Sequence, residues 1–193
     1  AMGVGVGDHS GIVPDEFIEF YTQRARGGAG LIITEITRVN NVHGVGEYDQ
    51  LSLADDNVIP SFQKLADSVH QYGTKIFAQL HHPGRESHLV LNPSVKELVS
   101  SSPFPSRIAP EPTRALTIEE IHSLVKDFAD AAVRAQKAGL DGVEIHAAHG
   151  YLITQFLSAN DNFREDEYGG SLENRMRFLM EIIAAIREAC GSE

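Results

Sequence analysis

Gly142-Val143-Glu144-Ile145-His146-Ala147-Ala148-His149-Gly150-Tyr151-Leu152 is the stretch that decides how this chain folds. A short apolar run ends abruptly in two histidines and a tyrosine, with glycines at 139, 142 and 150 around it. The run predicts a buried strand of a parallel sheet, and its C-terminal end predicts an active-site rim. Alternation sends Val143 and Ile145 to one side and Glu144 and His146 to the other. His146, His149 and Tyr151 then gather where the strand opens into its loop. Two imidazoles can donate hydrogen bonds to one developing oxyanion. A phenol, protonated at neutral pH, can deliver a proton beside them. Such a set suits reduction of a carbon–carbon double bond conjugated to a carbonyl. Two plainer readings stand beside it. A His-x-x-His pair is often a metal site, but no third ligand of matching spacing is evident, with Glu144 deeper in the strand and Cys190 distant. Histidines can also simply cap a strand end.

Working outward, the repeated order is helix then strand. Pro14 to about Arg26 predicts a helix, with Phe17, Phe20, Tyr21 and Arg24 on one stripe and Gly27-Gly28 ending it. Gly30 to Thr37 predicts a strand, short, apolar and β-branched. Asn40 to Asn57 reads as a polar loop, and Val58 to Tyr72 as a second helix with Ile59, Phe62, Leu65, Ala66 and Val69 on one face. Lys75 to Leu80 is the next strand. Residues 81–116 hold six of the eight prolines and predict a long irregular connection, either a binding loop or a surface excursion. Thr117 and Glu120 make a capping box that opens a helix ending at Gly139. Leu152 to Leu157 is a short helical piece, and Ser171 caps a last helix bearing Leu172, Met176, Leu179, Ile183 and Ile186.

Repeated βα alternation implies parallel strands with right-handed crossovers. No Gly-x-Gly-x-x-Gly lies between a strand and a helix. Gly3-Val4-Gly5-Val6-Gly7 imitates part of one without its context. A TIM, or (β/α)8-type, sheet is therefore preferred over a dinucleotide-binding fold. A whole barrel of this type takes roughly 250 residues, whereas this chain has 193. We expect a single partial domain over 1–193, units one to four of the barrel with the first strand clipped near Ala1-Met2-Gly3.

Composition narrows the partners. Net charge is −11, from 27 acidic and 16 basic residues, which argues against nucleic acid. No apolar run approaches the ~20 residues that span a bilayer, and the first residues lack the basic region of a secretory leader. One cysteine, Cys190, excludes an internal disulfide and fits a reducing cytoplasm.

Four motifs in order carry a family resemblance: Gly27-Gly28-Ala29-Gly30-Leu31-Ile32-Ile33-Thr34-Glu35; Gln79-Leu80-His81-His82-Pro83-Gly84-Arg85; Ile145 to Leu157; and Asn162-Phe163-Arg164 with Asp166 to Arg175. Together they resemble the Old Yellow Enzyme family of flavin-dependent ene-reductases, in its NADH:flavin oxidoreductase and 2,4-dienoyl-CoA reductase branch. The resemblance implies an FMN cofactor reduced by NADH or NADPH, and an enone or enoyl substrate that receives a hydride. It implies that His146 and His149 bind the substrate carbonyl and that Tyr151 protonates the α-carbon. Gln79 would bond the polar edge of the flavin ring, with Ile36, Met2 and Gly3 lining it. Ala1 stands where the family usually has proline. His81, His82 and Arg85, beside Gln79, read as loop scaffolding in preference to substrate binding, and Arg164, Asp166 and Arg175 as ion-paired scaffolding of the rim. The family's phosphate loops, its fifth-strand arginine and the cysteine cluster for an iron–sulfur centre are not in this segment. Their absence raises an alternative expectation: a non-catalytic half-barrel that has lost strong FMN binding and self-associates, as a homo-oligomer or with the missing half.

Overall fold

The computed structural model describes residues 1, 3–5, 7–87, 97–106 and 111–191. Met2, expected beside a flavin, lies outside the described residues.

Helix α1 (Asp15–Arg26) starts after Pro14 and carries acidic residues in its first turn and basic ones in its last, which complements the helix dipole. Its buried stripe includes Phe17 and Tyr21. Next come strand β1 (Leu31–Arg38) and the two-residue strand β2 (Leu51–Ser52). Helix α2 (Ile59–His70) buries Phe62, Leu65, Ala66 and Val69, and strand β3 is Lys75–His81. Short strands β4 (Leu98–Ser100) and β5 (Thr113–Ala115) pair with each other in parallel. Helix α3 (Ile118–Lys137) opens with both reciprocal bonds of the Thr117–Glu120 capping box. Strand β6 (Gly142–Ile145) and helix α4 (Leu152–Leu157) come next, and helix α5 (Leu172–Cys190) starts at a Ser171 side chain that accepts from Asn174 N–H.

The main sheet is fully parallel, in the order β2-β1-β3-β6. Along β3, Ile76, Ala78 and Leu80 are buried while Phe77 and Gln79 are half-buried. The period of two thus separates a helix-covered face from an open one. On the covered face a continuous apolar core joins Phe17, Phe62, Leu65, Ile76, Leu80, Phe128, Phe156 and Phe178. A register shift in β1 between Ile33 and Ile36 brings Ile36 level with Gln79, which is level with Glu144 on β6. Three residues from three strands therefore form one layer near the C-terminal ends.

Two expectations are corrected. Asn40–Asn57 is not all loop, because Leu51 and Ser52 pair with Thr37 and Arg38. The proline-rich stretch 81–116 is not wholly irregular either, since it contains the β4/β5 pair and a 3-10 turn at Gly84–Glu86. Strands β2 and β4 are buried throughout, so tertiary contacts create them where two or three residues carry no readable period.

Candidate active site

Backbone hydrogen bonds tie the end of β3 to the loop after β6. His146 N–H donates to Leu80 O at 3.0 Å, and Leu152 N–H donates to His82 O at 3.1 Å. The strand end at 80–82 thereby positions both the first histidine and the residue after Tyr151. Between them His149 has φ 60°, the left-handed region, and is the non-glycine residue found there among the described residues. That conformation is unusual for a residue with a Cβ, and such strain gathers at functional sites.

A cleft of about 280 Å³ opens here, lined by Ala1, Gly3, Ile36, Glu47, Gln79, Glu144, His146, His149 and Tyr151. Gly3, Ile36, Gln79, His146, His149 and Tyr151, each singled out from sequence, all share this one concavity at the C-terminal ends of adjacent parallel strands. A larger cavity of about 360 Å³ sits at the opposite, N-terminal end of β6, among Phe77, Ala132, Leu140, Val143 and Ile186. Its described lining has Asp141, Arg187 and Cys190 but no histidine or tyrosine, whereas the smaller cleft gathers the residues singled out from sequence.

Hydrogen bonds assign protons within the cleft. Ala148 N–H donates to His146 Nδ1 at 3.4 Å, so the His146 proton lies on Nε2. That nitrogen is 3.3 Å from His149 Nδ1, so His146 donates to His149, whose own proton then sits on Nε2. Burial, then the neighbouring His149, push the His146 pKa below its ordinary value and keep the ring a neutral donor. Burial, then Glu47 and Glu86, push the Tyr151 phenol up, so it stays protonated. The Gln79 amide donates to the Glu144 carboxylate across β3 and β6. No group of three or more candidate metal ligands occurs among the described residues.

His81, His82 and Arg85 are all buried. Arg85 is 3.1 Å from Glu86 and 3.3 Å from Asp161, with its guanidinium 5.0 Å from the Phe104 ring centre. Burial drives His82 down to about 3, so it stays neutral and accepts Gly84 N–H. Arg164 is ion-paired with Asp166 at 2.7 Å, as expected. Arg175 differs from expectation. It donates to the carbonyls of Leu157 and Gly170 and closes a loop, with no carboxylate hydrogen-bond partner among the described residues.

Sequence reading missed three polar residues. Glu47 enters the cleft from the loop before β2. Gln155, fully buried in α4, accepts from Arg85 N–H and Ser100 Oγ–H and donates to Pro83 O and Gly150 O. It fastens the Gly84 loop, β4 and the His149–Tyr151 turn to one another. Gln50 is buried and contacts His81. Isolated polar residues on loops or helix faces give no periodic signal.

The chain is similar to known proteins along its whole length. The chain is 45% identical to an NADH oxidase of Thermoanaerobacter brockii over 192 residues, which is all of this chain and 29% of that protein. It is 44% identical to an NADPH dehydrogenase of Listeria innocua over 183 residues, 95% of this chain and 52% of that protein. Morphinone reductase superimposes with a TM-score of 0.89 at 34% identity, over 96% of this chain and 53% of its own. The Old Yellow Enzyme homologue of Zymomonas mobilis superimposes with a TM-score of 0.86 at 34% identity. The chain thus spans about half, or less, of the relatives it matches, and its sheet is the corresponding part of their (β/α)8 barrel. No described helix is long and apolar enough to cross a membrane. A family model matches residues 1–193, and the chain belongs to the NADH:flavin oxidoreductase / NADH oxidase family.

Proposed function

We propose that the protein containing this segment is an FMN-dependent oxidoreductase that uses NADH or NADPH to reduce the double bond of an α,β-unsaturated carbonyl compound. The observation that carries this reading is the convergence of His146, His149 and Tyr151 with Gln79 and Ile36 in one cleft. The cleft fits a flavin ring. Ile36 offers an apolar wall, Gln79 an amide for the polar ring edge, and Gly3 a site without a side chain. Its described lining includes no Lys or Arg, so a charged phosphate would be held elsewhere in the whole barrel. The bound flavin would supply hydride transfer, which no side chain can perform.

The chain's own residues divide the remaining work. His149, whose Nε2–H faces away from the His146 bond, holds the substrate carbonyl oxygen. His146 joins it once the carbonyl oxygen replaces His149 as acceptor of the His146 Nε2–H. Each ring donates one N–H to that oxygen as negative charge develops on it. Tyr151 delivers its phenolic proton to the α-carbon, and hydride and proton together complete the reduction. In the flavin-loaded full-length protein, Tyr151→Phe should slow alkene reduction about 10²–10⁴-fold and leave reduction of the flavin by nicotinamide nearly intact. Equal slowing of both half-reactions would show Tyr151 to be structural.

A second reading concerns the isolated 193-residue chain. Among the described residues β6 has one strand neighbour, and its residues are all half-buried. A free strand edge beside apolar side chains recruits another strand, from the rest of the barrel or from a second copy. The isolated chain should then self-associate and bind FMN weakly. Light scattering with an FMN titration tests this, and a stable monomer holding FMN tightly would contradict it.

A further inference from the structure

A fully buried imidazole with no part in the proposed chemistry adjoins it directly. The His81 ring centre lies 4.5 Å from that of Tyr151 with the planes at 85°, and 5.2 Å from that of His146 at 69°. His81 and Gln50 both have 0% exposure. Gly46 N–H donates to Gln50 Oε1 at 2.8 Å, which fixes the orientation of the amide. Gln50 Nε2 then faces His81 Nδ1 at 3.1 Å. An amide nitrogen can only donate, so His81 Nδ1 is the bare acceptor and the ring proton sits on Nε2. Burial, then the nearby His146 and His82, hold the His81 pKa well below the ordinary value and keep the ring neutral. Its Nε2 is buried and has no hydrogen-bond partner among the described residues. The rings of Tyr151 and His146 stand steeply against the His81 ring, and such perpendicular packing of aromatic rings is electrostatically favourable.

We infer that Gln50 and His81 form a positioning pair, in which Gln50 fixes the His81 tautomer and the His81 ring orients the Tyr151 phenol and the His146 imidazole. The inference rests on the proposed role of Tyr151. Neither residue touches substrate: both act through the two rings that do. The same short loop that supplies Gln50 also carries Glu47 into the cleft, so the position of that loop and the orientation of the rings are coupled.

The test uses the flavin-loaded full-length protein and two independent readouts. The first is the ¹⁵N spectrum of the wild-type imidazoles. His81 should show a bare Nδ1 and a protonated Nε2 throughout the range where a free imidazole titrates, about pH 5.5–7.5. A protonated Nδ1, or titration within that range, would overturn the inference without any variant having to fold. The second compares half-reactions for Gln50→Leu and His81→Phe. Each should slow alkene reduction about tenfold while nicotinamide-driven flavin reduction stays within about twofold, since only the former depends on ring orientation. The double variant should be no slower than His81→Phe alone, because the two act in series. Equal loss in both half-reactions, or no loss, would overturn the positioning role. Tyr151→Phe in the same experiment separates the causes. If it slows alkene reduction and the pair variants do not, the positioning inference fails. If it has no effect, the role of Tyr151 fails and positioning fails with it.

Discussion

Strands β3 and β6 are two segments with two unlike ends. At their N-terminal ends Asp141 takes Lys75 Nζ at 2.6 Å, His70 Nε2 at 2.7 Å and Ile76 N–H at 2.9 Å. Burial works against this carboxylate, yet those bonds hold it down at about 2. At the C-terminal ends the balance reverses. The His146 and His81 imidazoles are kept neutral, a phenol is pushed up, His81 Nε2 lacks a hydrogen-bond partner among the described residues and His149 sits at φ 60°. One end satisfies its polar groups and stabilises the sheet. The other keeps polar groups poised and strained, a division expected of the two faces of a (β/α) barrel.

The comparison can be broken most forcefully at the rim. Replacing both His146 and His149 by Ala should slow alkene reduction about 10²–10³-fold, the usual effect of losing oxyanion donors. Stopped-flow reoxidation of the reduced flavin measures it, and the melting temperature should barely move. A rate near that of the wild type would remove the rim's claim to the chemistry.

Next comes the joint between rim and scaffold. Gly84 has φ 63°, and a Cβ there would overlap the buried Gln155 amide. Gly84→Ala should cost on the order of 3 kcal/mol of stability from the combined overpacking and left-handed backbone. Denaturant unfolding gives the number, and a cost under about 1 kcal/mol would show Gln155 to be a less constrained hub than its bonds suggest.

At the other end Asp141→Asn should destabilise by about 1–3 kcal/mol without changing either half-reaction. Its pH signature is specific. A carboxylate with a depressed pKa contributes stability above its unfolded value, here 3.8, and loses it as pH falls toward about 2. The wild type should therefore lose stability over that window and the variant should not.

A further pH effect is expected at Glu35, buried in β1 at the register shift and accepting Val4 N–H at 2.6 Å. Burial raises its pKa from 4.5 to about 7, helped by Asp49 and Glu47. The sign is opposite to that of Asp141: the contribution is full below about 4.5 and lost as pH rises through about 7. Glu35→Gln should flatten that part of the stability profile. An unchanged slope would place the titration elsewhere.

The same contrast explains what could be read in the chain. Long elements with a clean period were legible: the Phe62–Val69 stripe of α2, the Thr117 capping box and the apolar run of β6. The residues of the cleft were legible through motif order, because Gln79 and His146 close two such strands. Gln50, Gln155 and Glu47 were not, since each becomes important only through a partner far along the chain. Strands β2, β4 and β5 were hidden for the same reason, being two or three residues long and held by pairing.

The most direct test of this account measures both ends side by side. Full-length flavin-loaded protein carrying either His149→Ala or Asp141→Asn would be compared for melting temperature and for the rate of alkene reduction. The account predicts a double dissociation: His149→Ala loses rate and keeps its stability, while Asp141→Asn loses stability and keeps its rate. A His149→Ala variant that melts early at full rate, or an Asp141→Asn variant that is slow at full stability, would contradict it.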